Sequence, residues 1–96
     1  MKVPPVPDAV WKYTLDYALS EIGLPSGATV LTVALQRNKI CLWARVDPRA
    51  EKVTLRTFRV VGTGHEVLTG DETYLGSAHS NDGNFVFHVF ELNGSR

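Results

Sequence analysis

The sequence predicts an all-β fold, a small antiparallel barrel or sandwich of about six to seven strands. Three observations carry that prediction. Apolar residues recur at every second position through most of the chain, β-branched and aromatic residues fill those runs, and turn-forming Gly, Pro, Asn and Asp divide them at short intervals. At 96 residues the chain forms one domain near the lower end of what folds alone, so help from a second subunit is expected. The expected organisation is a Pro-rich extension over residues 1–10, a single all-β domain over 11–92 and a tail over 93–96.

The segment WKYTLDYAL places Trp11, Tyr13, Leu15, Tyr17 and Leu19 on one side, and Lys12, Thr14, Asp16, Ala18 and Ser20 on the other. Trp11, Leu15, Ala18 and Leu19 would also share a helix face, but unbroken alternation rich in aromatics favours a strand with one wet face. Ile22 and Leu24 fall on even positions, so the register reverses near Ser20 and Glu21 through a bulge or tight bend. The Pro-x-Gly of LPSGA then turns the chain.

In ATVLTVALQRNKICLWARVDP, a two-residue turn at Asn38 and Lys39 sets Leu35 opposite Leu42, Val33 opposite Ala44 and Leu31 opposite Val46. That face is wholly apolar. The other face is mixed, with Gln36 opposite Cys41, Ala34 opposite Trp43 and Thr32 opposite Arg45. After the polar loop DPRAEK, VTLRTFRVV reads as a strand with imperfect alternation: Arg56 and Phe58 share one side, Thr57 and Arg59 the other. This predicts a bulge or a sheet edge. GTGHEVLTGDE is loop-like. TYLGSAHS and NFVFHVFEL form a closing hairpin around Asn81, Asp82 and Gly83, with His79 facing Val86. The last strand is apolar on both faces and is therefore expected at the centre of a sheet.

Composition narrows the chemistry. Formal net charge is +0, which argues against a generic nucleic-acid binder, yet Arg37 to Arg59 holds seven cations against two anions, a net +5. Two solvated faces explain such a split, as does an anionic ligand. Cys41 is the single cysteine, so neither an internal disulfide nor a thiolate zinc site is expected. His65, His79 and His88 lack metal-ligand spacing, and no metal or cofactor is expected. No apolar run has the length needed to cross a bilayer and the start does not read as a secretion signal, so a soluble intracellular protein is expected.

The loop Gly62-Thr63-Gly64-His65 follows a strand but leads into no helix, so the dinucleotide-fold reading fails. A plain turn using glycine for positive φ, or an anion-binding nest of backbone amides, remains. Cys41 with a histidine, or Ser80 with His79, offers nucleophilic chemistry only in outline, because no nucleophile, base and acid are fixed together. The stronger group is Trp43, Arg45, Arg56, Phe58 and Arg59, since an aromatic face beside guanidinium forks can stack a ring and clamp a phosphate or carboxylate. The competing explanation puts Trp43 in a second small core or a subunit contact.

The blocks LPSGATVLTV, ICLWARVDP, FRVVGTGHEV, YLG and FVFHVFEL, in this order across Trp11 to Leu92, resemble a family of small uncharacterised proteins of tailed phages and prophages. That resemblance implies a phage protein acting in the host bacterial cytoplasm. Its expected role is a non-enzymatic accessory binding protein that counters host defence, engaging an anionic, nucleotide-like signal or a host protein, with no membrane and no sequence-specific nucleic acid as partner. Trp43, Arg45, Arg56 and Arg59 are the expected ligand contacts, followed by Gly62, Gly64 and His65, and the protein is expected to form a homo-oligomer. The alternatives are a virion or assembly component acting through that oligomeric interface, and a hydrolase of a phosphorylated signal.

Overall fold

The computed structural model describes residues 7–65 and 70–93. Residues 1–6 of the expected extension, 66–69 of the expected loop and 94–96 of the expected tail lie outside them. Seven strands make up the described chain: β1 Ala9–Leu15, β2 Leu19–Pro25, β3 Thr29–Gln36, β4 Lys39–Val46, β5 Val53–Gly62, β6 Glu72–His79 and β7 Val86–Leu92. They form two antiparallel sheets, one ordered β1-β4-β3 and the other β2-β5-β7-β6, so the fold is a sandwich and not a closed barrel. Alternation places Val33, Ile40, Leu42, Ala44 and Val46 of one sheet against Leu24, Phe58, Val60, Ala78 and Val89 of the other in a single core. No described helix is long and apolar enough to cross a membrane.

Four expectations are corrected. The first strand starts at Ala9, inside the expected extension, and ends at Leu15 instead of running on to Leu19. At Asp16–Ala18 the chain leaves one sheet for the other, with Ala18 at φ 73. Ser20 is the reason the corner holds: its buried hydroxyl accepts the Asp16 amide at 2.6 Å and donates to the Asp16 carbonyl at 3.4 Å. The register reverses as the alternation requires, but before Ser20, which leaves Tyr17 and Leu19 exposed.

Secondly, the β3–β4 turn is Arg37-Asn38 and not Asn38-Lys39. Both turn residues have positive φ, 51 and 65, as a two-residue turn matching strand twist demands. Leu35 therefore pairs with Ile40 and Val33 with Leu42, and a bulge between Val30 and Thr32 leaves Leu31 exposed. Thirdly, β5 is neither bulged nor at an edge: it pairs in continuous register with β2 and β7. Its irregular alternation comes from Arg56, which faces inward because Glu91 meets it there. Fourthly, Asn93 is tied down, donating its amide to the Asp71 carbonyl at 3.1 Å and its side chain to Thr73 Oγ1 at 2.6 Å. The closing hairpin forms as read, with His79 opposite Val86 and β7 in the interior of its sheet.

Candidate functional site

The fold separates the residues that the sequence groups together. Trp43 and Arg45 alternate with buried Leu42, Ala44 and Val46, so they point away from the core on the outer face of the three-stranded sheet. Trp43 is half-buried between Lys12 and Thr32 of the flanking strands. Arg45 is 65% exposed and donates through Nε to Asp8 Oδ2 at 2.9 Å. Arg56 belongs to the other sheet and has its donors occupied: Nε and Nη2 clasp Glu91 at 2.6 and 2.8 Å, and Nη1 reaches the Ala28 carbonyl at 2.6 Å. The hydrogen bond to Glu91 holds its guanidinium above the ordinary range, against the opposing pull of burial. A four-residue clamp of Trp43, Arg45, Arg56 and Arg59 therefore does not exist.

Arg59, Gly62, Gly64 and His65 do come together. With Tyr17 and Ala18 they line a cleft of about 510 Å³ where β5 runs on past the start of β2. Gly62 to His65 is a turn closed by the His65 amide on the Gly62 carbonyl at 3.0 Å, and Gly64 supplies the positive φ of 92 that its third position requires. His65 folds back over Gly62 so closely that a Cβ added there would stand 3.2 Å from His65 Nδ1. The Thr63 amide is taken by the Val86 carbonyl at 3.3 Å. One of the amides a nest would use thus closes the turn and another pairs with β7, so anion contact in this cleft falls to side chains. Arg59 is the one placed for it. Its Nε is buried and has no hydrogen-bond partner among the described residues.

Aromatic residues extend this end of the sandwich. Tyr17, 65% exposed at the corner, meets Phe87 edge-on at 5.4 Å and 88°, and Phe87 stacks with exposed Phe85 at 6.3 Å and 16°. A second cleft of about 270 Å³ shares Tyr17, Gly62 and His65 and adds Asn84, Phe85 and Phe87. A third of about 260 Å³ lies between Tyr17, Asp16, Asn38 and Lys39. Tyr17 borders all three. Sequence reasoning misses Tyr17, Phe85 and Asn84, since alternation assigns Tyr17 to the core side; the signal that could find it is its place at the register reversal. Guanidinium, imidazole and phenol around the first cleft can bind a flat, negatively charged molecule.

The remaining polar side chains are engaged locally. His88 bridges Thr63 Oγ1 at 2.8 Å and Tyr74 OH at 3.0 Å, and His79 Nε2 meets Ser77 Oγ at 3.0 Å. Ser80 donates to Asp82 Oδ1 at 2.7 Å and so does not pair with His79. The Asn84 amide and this hydroxyl hold the Asp82 carboxyl below its ordinary range. Cys41 is buried beneath the outer face, 4.0 Å from Thr14 Oγ1. Among the described residues no three of His, Cys, Asp or Glu gather as metal ligands would.

Residues 7–96 match a family model described as Domain of unknown function (DUF7352). No curated protein and no solved structure matches the chain.

Proposed function

We propose, for a chain that belongs to the DUF7352 family, that it is a non-enzymatic binding module that takes an anionic, ring-bearing small molecule in the Tyr17–His65 cleft. One observation carries this reading: Arg59 lines that cleft while its Nε, buried behind the surface, has no hydrogen-bond partner among the described residues. A buried donor without a partner costs about 1–3 kcal/mol, and an anion that draws the Arg59 guanidinium outward into the cleft relieves that penalty with a charge-assisted bond. His65 supplies a further polar contact and exposed Tyr17 a face for a ring, with Phe85 in the adjoining cleft that shares Tyr17 and His65. In biological terms the module is a phage accessory protein of the host bacterial cytoplasm that sequesters a nucleotide-like defence signal.

The test is calorimetric titration with a panel of mononucleotides and cyclic dinucleotides, and with inorganic phosphate as the bare anion. A panel member is expected to bind, and Arg59→Met to weaken it at least tenfold while raising the melting temperature, because the unpaired donor is gone. Trp43→Ala is expected to bind normally. Unchanged binding in Arg59→Met, or loss in Trp43→Ala alone, overturns the site. Product release dependent on His65 would replace the module with a hydrolase.

A further inference from the structure

We infer that β1 is the seam through which two copies of this chain pair, antiparallel, into one continuous six-stranded sheet, with Trp11 facing Trp11 of the second copy. The inference is independent of the ligand cleft. Among the described residues the sandwich has four edge strands, β1 and β3 in one sheet and β2 and β6 in the other. Edge strands template unwanted pairing, and soluble proteins blunt them with bulges, proline, glycine or charge. Three of the four are blunted. β3 and β6 each carry a register shift and lie against one another, with Val33 Cγ2 3.1 Å from where a Gly76 Cβ would stand. β2 contains Gly23 and ends on Pro25.

β1 has a single lysine and none of the other devices. Its seven residues pair with β4 in unbroken register from Ala9↔Val46 to Leu15↔Ile40, and they include no proline or glycine. The single charged residue, Lys12, bars only the register that opposes it to itself and does not close the edge. Its Nζ donates to Gln36 Oε1 at 2.6 Å, and Gln36 lies on β3 beyond β4, so the side chain is drawn back over its own sheet. Val10 and Trp11, one on each face, remain 59% and 42% exposed.

Symmetry and charge then select the register. A two-fold axis perpendicular to the sheet keeps inner faces together, so opposed residues share parity and the axis passes a single residue. Centring it on Lys12 opposes two ammonium groups. Centring it on Tyr13 leaves exposed Val10 without an in-strand partner, against Asp16, whereas centring it on Trp11 runs past the strand only at Thr14 and buried Leu15, which fall against Asp8 and Pro7. Centring it on Trp11 opposes indole to indole, sets Lys12 against Val10 and Tyr13 against Ala9, and joins no like charges.

The experiment is native mass spectrometry and concentration-dependent light scattering of the full chain with Val10→Lys and Val10→Glu, both at a site already exposed. The wild-type chain is expected to dimerise. Val10→Lys places cation against Lys12 of the second copy and weakens the dimer at least tenfold, whereas Val10→Glu meets that lysine with opposite charge and dimerises as well as wild type or better. A monomer at all concentrations, or a dimer whose response to the two substitutions is the same, overturns the inference.

Discussion

Arg56 shows how much one side chain can mislead and then explain. Facing inward from a middle strand, it is acceptable only because Glu91 meets it with two hydrogen bonds and the Ala28 carbonyl with a third. Removing either partner strands a charge, and Arg56→Ala or Glu91→Ala is expected to lower unfolding free energy by about 3 kcal/mol in urea titrations. Arg56→Met with Glu91→Leu is expected to restore most of that, since two apolar side chains need no partner. Alternation alone turns Arg56 into evidence for a bulge, because the residue that justifies it lies on another strand. Arg59 and the Gly62–His65 turn are readable because they are contiguous. Tyr17 is not, since only the corner at Ala18 lifts it out of the core side.

At the scale of elements, the strands and their faces are legible while the turn joining two of them is displaced by one residue. Moving that turn shifts cross-strand partners by two positions, an even number, so Val33, Leu42, Ala44 and Val46 still face inward. The bulge at Leu31 is the part that alternation does not reveal. Arg37 and Asn38 occupy left-handed backbone that Asn and Gly adopt more readily than Arg. Arg37→Asn with Asn38→Gly is therefore expected to raise stability by about 1 kcal/mol, measured as a higher denaturant midpoint with unchanged slope. Had the sequence's own candidate turn, Asn38-Lys39, been the true one, the same pair of changes would weaken the hairpin.

For the whole molecule, the fold class is legible and the layering is not. Pairing β1 with β4 and β2 with β5 joins segments far apart in sequence, and local patterns do not encode which strand finds which. The corner between the sheets rests on Ser20, a buried polar residue in an otherwise apolar core. Ser20→Ala leaves the Asp16 amide without its acceptor and is expected to cost about 1–3 kcal/mol, with faster hydrogen exchange at Asp16 as the local readout. The strand order also bears on synthesis. A ribosome delivers β1 before β4, its neighbour among the described strands, with two further strands made in between. On crowded polysomes the nascent segment Ala9–Leu15 can meet its counterpart on an adjacent chain before its own β4 exists, so assembly between copies can begin while translation is still under way.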